Sequence, residues 1–236
     1  MKRLLLLSNS TNFGGGYLEH AAAEIRALFK GVERIAFVPF ALHDQDAYTR
    51  KARARFQELG IAVEQVSADA RGRELVAGAA GVFVGGGNTF RLLDRLQRAE
   101  ILEPLRRRAL AGMPYLGASA GSNIAAPTIK TTNDMPIVQP PSFEALGLLG
   151  FQLNPHYLDA DAGSRHMGET REDRLREYLE DNETPVLGVR EGGWLEVNGD
   201  AVGLAGNGAR LFRRRQAPLE LLPGARIDAL LAEALQ

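Results

Sequence analysis

The chain reads as an α/β fold: a mostly parallel central sheet flanked by helices, closed on one side by a C-terminal antiparallel edge. Three observations predict this. From Leu4 to Ser119, short apolar runs alternate with stretches of helical periodicity, the pattern of a sheet with helices packed on both faces. The apolar runs lead into glycine-bearing turns, at Gly14–Gly16, Gly85–Gly87 and the Gly117/Gly121 pair. Beyond Pro185 the apolar runs become short and closely spaced around Asn198-Gly199, a dipeptide that favours a type I′ hairpin.

In chain order, "LLLLS" (4–8) predicts the first buried strand and Tyr17–Phe29 a helix. "RIAFVPF" (34–40) is a strand, 45–59 a helix, "IAVEQV" (61–66) a strand and 71–79 a short helix. "GVFVGG" (81–86) follows as a strand, then a helix from Thr89 to Leu110 broken near Ala99–Pro104, then the strand "PYLGAS" (114–119). The segment from Gly121 to Gly168 is rich in Pro, Asn and Thr with little periodicity and reads as a long loop, a kind that is usually functional. Residues 168–182 predict a charged surface helix with Leu175 and Leu179 facing inward. "PVLGVRE", "GWLEVNG", "DAVGLAG" and "ARLFRR" are short strands of the edge, and Ile227–Leu235 is a last helix.

With 236 residues the chain suits one large domain spanning 1–236, burying about 70–75% of the surface its unfolded form exposes. Hydrophobic residues at 45% and charged at 24% place it among ordinary globular proteins. A net charge of -1 argues against a nucleic-acid partner, since a phosphate-tracking surface needs a basic excess. The runs Arg106–Arg108 and Arg213–Arg215 are short and read as solvated faces. Four leucines after "MKR" fall short of the core of a secretion signal, and no stretch approaches the roughly 20 apolar residues of a membrane span. The expectation is a cytoplasmic protein with no membrane partner, monomeric or homodimeric. The absence of cysteine removes disulfides, thiolate metal sites and thiol nucleophiles together.

"GASAG" (117–121) matches G-x-S-x-G, in which a sharp strand-to-helix turn lifts a serine to the carboxyl end of a sheet. The spacing alone is a weak signal, because small residues also mark close strand–helix packing. A strand before Ser119 and a helix-compatible "AGSNIAA" after it strengthen the reading as a nucleophile. "VGGGNTF" (84–90) ends another strand where a helix opens, so amides near Gly86, Gly87 and Asn88, together with that of Ala120, are candidates for an oxyanion hole. The glycine-rich 12–16 turn has the weaker claim on the site.

A serine nucleophile needs a base. His20, His43 and His166 sit among helical or polar loop residues and read as surface groups. His156 follows Asn154-Pro155, whose restricted backbone sets the direction of the imidazole, and is the candidate base. The carboxylate that orients it is either Glu191, at a strand end beside a double glycine, or Asp134, in "TTNDMP". Both readings stay open.

Taken together and in order, "VGGGNTF", "GASAGSN", "PTIKTTNDMPIV", "NPHY", "GETREDR" and "REGGW" resemble the α-aspartyl dipeptidase (peptidase E) family of serine peptidases over most of the chain. The resemblance implies a fold similar to class I glutamine amidotransferase domains, with serine in place of their cysteine. It implies Ser119 as nucleophile, His156 as general base, and Glu191 as third member, with Asp134 an alternative or supporting carboxylate. It implies a small Asp-X peptide as substrate, no metal or organic cofactor, and Arg171 of "GETREDR" as the grip on the substrate β-carboxylate. Ala118 and Ser122 depart from the family pattern beside the serine. Competing readings are a cyanophycinase-like or isoaspartyl peptidase on the same fold, and a non-catalytic amino-acid or peptide sensor. An α/β-hydrolase fits poorly, because Asp134 and His156 follow the serine too closely for its intervening strands.

Overall fold

The computed structural model describes residues 1–160, 163 and 168–229. Five strands run parallel: β1 (Arg3–Leu7), β2 (Arg34–Val38), β3 (Ala62–Gln65), β4 (Val82–Val84) and β5 (Tyr115–Ala118). The helices between them are α1 (Ala22–Leu28), α2 (Gln45–Glu58), α3 (Ala70–Gly78), α4 (Thr89–Arg98) and α5 (Leu102–Leu110). A four-residue helix, α6 (Ala120–Asn123), follows β5, and then come β6 (Gln152–Tyr157), α7 (Arg171–Asp181), β7 (Val186–Arg190), β8 (Trp194–Asn198), β9 (Ala201–Ala205), β10 (Ala209–Phe212) and β11 (Leu219–Leu221).

The main sheet has the order β3-β2-β4-β5-β1-β8-β9, with β8 and β9 antiparallel at its edge. Its central strands β1, β2, β4 and β5 are buried on both faces, which is why they read as continuous apolar runs, while β8 and β9 at the edge alternate. Leu4 and Leu6 join one apolar cluster and Leu5 and Leu7 the opposite one, as the period of two requires. On one side α1 and α2 contribute Ile25 and Phe56, and on the other α3, α4 and α5 contribute Val76, Leu93 and Leu105. Each such leucine or isoleucine removed from water stabilises the fold by about 1.5–3 kcal/mol before conformational entropy is subtracted.

Several expectations need correction. The C-terminal strands do not all extend the main sheet: β7, β10 and β11 leave it and join β6 in a second sheet, ordered β11-β10-β7-β6. Leu187 and Leu211 of that sheet face the main core, while Val186 and Phe212 face Leu175 and Leu179 of α7. β6 lies inside the segment read as loop. Its proline is tolerated because β6 is the outer strand of the sheet and its pairing with β7 is interrupted between Asn154 and Tyr157. The first helix is shorter than expected, since Leu18 takes φ +55° and a 3-10 turn at Glu19–Ala21 precedes α1. The break expected near Ala99–Pro104 is real, with Glu100 at φ +56° between α4 and α5. The β8–β9 hairpin turns through Gly199-Asp200, one residue later than read, with Gly199 at φ +63°. Ile227–Ala229 are helical, and the rest of the expected terminal helix lies outside the described residues, as does His166.

Candidate active site

The carboxyl ends of β1, β2, β4 and β5 converge on one edge of the main sheet, where ligands of open α/β sheets bind. Ser119 sits there at the junction of β5 and α6 with φ +54° and ψ −112°, a conformation that costs a non-glycine residue about 1–3 kcal/mol. The strain is held by bonds around it. Ser119 donates its N–H to Leu7 O at 3.0 Å, and its carbonyl accepts from the amides of Ser122 and Asn123, each at 2.9 Å. The Ser122 hydroxyl also donates to Leu7 O at 2.7 Å, and Tyr115 Oη donates to Gly121 O at 2.6 Å. The flanking glycines are required by contact: a methyl group on Gly117 would lie 2.5 Å from Gly121 O, and one on Gly121 would overlap the Val84 carbonyl.

His156 Nε2 lies 2.9 Å from Ser119 Oγ, and His156 Nδ1 lies 2.6 Å from Glu191 Oε1. A carboxylate only accepts, so Nδ1 carries the proton and Nε2 presents its lone pair to the serine hydroxyl. Glu191 follows β7 in the turn that leads into β8, and this turn is fixed from three sides. The Gly192 amide donates to Asn9 Oδ1 at 2.8 Å, Asn207 Nδ2 donates to Glu191 O at 2.5 Å, and Gly192 takes φ +77°. The imidazole is fixed as well: His156 donates its backbone N–H to Ser8 Oγ, which donates in turn to Val189 O, both at 2.8 Å.

Asp134 does not take part in this relay. Its Oδ2 accepts from the Thr89 amide at 2.7 Å and from Thr132 Oγ1 at 3.2 Å, which places the carboxylate at the first turn of α4 where the helix favours negative charge. Asn88 caps the same helix through Oδ1 and donates its Nδ2 to Met135 O at 2.9 Å, tying the 132–135 segment to α4. The oxyanion candidates also separate. Gly86 donates its amide to Tyr48 Oη at 2.8 Å and Asn88 donates its amide to Ala41 O at 3.0 Å, so both are already engaged. The Gly87 and Ala120 amides donate to no described residue, and Gly86 packs its α-carbon side against Ser119 Cβ.

A cavity of about 770 Å³ opens onto Ser119, His156, Gly86, Gly87 and Asp134, a volume suited to a small molecule. Its far wall is α2 and the segment before it, including His43, Asp44, Tyr48 and Lys51, with Ser10 and Tyr17 beside them. His43, read as a surface group, thus borders the site. The 12–16 glycine turn does not line the cavity. Arg171 heads α7 and does not itself line this cavity; burial lowers its pKa from the ordinary guanidinium value, Arg174 adds to this and Asp134 opposes it. Among the described residues Arg171 forms no ion pair. The two arginine runs are engaged locally, Arg108 with Ala79 O at 2.7 Å and Arg214 with Glu183. Among the described residues no group of three His, Asp or Glu side chains could hold a metal ion, and no helix is long and apolar enough to cross a membrane.

The sequence reading missed Ser8, Asn9, Tyr48 and Asn207. Ser8 and Asn9 had a usable signal, because they directly follow a buried strand in a sheet whose strand ends carry the site. Tyr48 and Asn207 had none, being ordinary residues of an amphipathic helix and a turn.

Comparison with known proteins shows the family. Residues 4–205 match the model of "Peptidase family S51". The chain is 55% identical over 229 residues to "Peptidase E" of Streptomyces coelicolor, covering 97% of this chain and 94% of that one. It is 47% identical over 234 residues to "Probable alpha-aspartyl dipeptidase" of Drosophila melanogaster, covering 98% of each. Among solved structures, a peptidase from an acI-B1 Actinobacterium has the same fold, with a TM-score of 0.72 over 96% of each chain at 18% identity.

Proposed function

This chain belongs to peptidase family S51, and from that premise we propose that it is a serine dipeptidase hydrolysing dipeptides with an N-terminal aspartate. The observation that carries the reading is the relay of Ser119, His156 and Glu191 at the strained end of β5. His156 removes the Ser119 proton as Oγ attacks the Asp-X carbonyl carbon. The amides of Gly87 and Ala120, which donate to no described residue, receive the oxyanion, a contribution of about 10²–10³ in rate per donor in comparable sites. The imidazolium, stabilised by Glu191, then passes its proton to the leaving amine. Water activated by the same imidazole attacks the aspartyl ester, releasing aspartate and restoring the serine hydroxyl. Neither half-reaction requires a group that the chain lacks.

Arg171 is the proposed partner of the substrate β-carboxylate. Its guanidinium is half-buried, and among the described residues Asp134, which lines the cavity, is the carboxylate that favours its charge. The deciding experiment follows release of free aspartate from Asp-Leu, with Leu-Leu and isoaspartyl-Leu in parallel, for the purified protein and for Ser119→Ala. Cleavage of Asp-Leu alone, lost by several orders of magnitude in the variant, is expected. Cleavage of isoaspartyl-Leu in preference, or near-normal turnover by Ser119→Ala, would overturn it.

A further inference from the structure

The free carboxylate of the second residue distinguishes a dipeptide from a longer chain, and a cation bordering the site can read it. Lys51 is placed to do this. It lines the cavity that holds Ser119 and His156, and among the described residues no carboxylate lies within ion-pair distance of its ammonium. Two carboxylates share the cavity, but both are committed elsewhere: Asp44 Oδ1 caps α2 through the Ala47 amide at 2.8 Å, and Asp134 holds the start of α4.

The path from the nucleophile to Lys51 is one continuous wall. A methyl group on Gly86 would lie 3.0 Å from Ser119 Cβ, and Gly86 donates its amide to Tyr48 Oη. Tyr17 donates its hydroxyl to Tyr48 Oη at 3.4 Å, and their rings meet edge to face. Burial pushes both phenols up in pKa, so each remains a neutral hydroxyl at the edge of the site. Lys51 follows Tyr48 by three residues on α2, one turn along the same face, and its Nζ stands 4.4 Å from the centre of the Tyr17 ring. Lys51 is itself exposed, and its ammonium lies over an aromatic face at the border of the cavity.

We propose that Lys51 binds the C-terminal carboxylate of the dipeptide's second residue, on the leaving-group side of Ser119. The assignment rests on the dipeptidase reading. It leaves the β-carboxylate of the first residue to Arg171, so the two cations divide the substrate's two carboxylates between them.

The test compares kcat/KM for Asp-Leu and for aspartyl-leucinamide, whose terminal carboxylate is neutralised, in the wild type, Lys51→Met and Lys51→Arg. The wild type should favour the acid by about 10- to 100-fold, as expected for a charge-assisted contact. Lys51→Met should bring that ratio to about one, mainly through KM for the acid, and Lys51→Arg should restore most of it. An unchanged ratio in Lys51→Met, or a wild type that cleaves both substrates equally, would overturn the assignment while leaving the dipeptidase reading intact. If Lys51→Met instead loses its preference for Asp-Leu over Asn-Leu, the ammonium reads the β-carboxylate and the division proposed here is wrong. A wild type that cleaves neither Asp-Leu nor its amide would end the dipeptidase reading, and the role of Lys51 with it.

Discussion

The Ser8 hydroxyl, at the end of β1, accepts the backbone N–H of His156 at 2.8 Å across a sequence separation of 148 residues. The same hydroxyl donates to Val189 O on β7, so one side chain binds the main sheet to both strands that present the relay. His156 itself takes φ +55°, a conformation uncommon for a residue other than glycine. Ser8→Ala removes the acceptor of a sheltered N–H, a change that costs about 1–3 kcal/mol. Turnover of Asp-Leu should fall by about 10- to 100-fold with little change in KM, because the imidazole loses aim rather than affinity for substrate. Paired kcat and KM measurements check this; a purely structural role would lower the melting temperature and leave kcat per folded molecule intact.

Glu191 and Asp134 should separate cleanly. Glu191→Gln leaves an amide beside Nδ1, which can turn its NH₂ toward the ring and favour the wrong tautomer, as in related triads. The Glu191 side chain is 59% exposed and that of His156 40%, so water moderates the loss to about 10- to 10³-fold in kcat. Asp134→Asn should instead weaken the start of α4 and lower the melting temperature. A kcat loss in Asp134→Asn equal to that of Glu191→Gln, with stability unchanged, would reverse the assignment.

Glycine at 121 is a packing requirement. Gly121→Ala forces a methyl group into the Val84 carbonyl on the neighbouring strand, and the expected destabilisation is about 3 kcal/mol or more. Gly78→Ala is the contrast: nothing lies within 4 Å of the added methyl group at the end of α3, so stability should rise by up to about 1 kcal/mol. Urea unfolding of the two variants beside the wild type decides between them.

Acid should destabilise the fold in two windows. His20 has both ring nitrogens buried without a hydrogen-bond partner among the described residues; desolvation lowers its pKa while Glu24 opposes the shift. A base whose folded pKa is depressed contributes stability above its unfolded value of about 6.5 and loses it as pH falls through the lower folded value. The carboxylates give the second window. Asp69 is held low by the Ser67 hydroxyl and the Gly72 amide, Asp173 by Thr170, and Asp228 at about 2 by Arg226 and the Val202 amide. Their contribution is complete above the unfolded carboxyl value of about 3.9 and disappears as pH falls toward their folded values. The urea midpoint should therefore be level near neutrality, decline first below about pH 6.5 and again below about pH 4. His20→Gln should remove the first decline alone, and a first decline that survives the substitution would rule out His20 as its source.

What the sequence determined by itself was everything carried by local pattern. Continuous apolar runs announced strands buried on both faces, the 89–110 periodicity announced two helices and the break between them, and G-x-S-x-G placed Ser119 on a strand-to-helix turn. These are properties of neighbouring residues, set by backbone sterics and by the period at which side chains meet a core. Tertiary structure alone decided the pairings between distant segments. It chose Glu191 over Asp134 beside His156, because β7 runs alongside β6 while Asp134 closes the end of α4. It engaged the Gly86 and Asn88 amides and left those of Gly87 and Ala120 without a described acceptor, and it turned an unremarked Ser8 into the clamp on His156. It also made β6 a strand despite its proline, since an outer strand with an interrupted register does not need that missing N–H. Hydrogen-bond partners are assigned by which chain ends the sheet brings within about 3 Å of one another, and no local pattern carries that information.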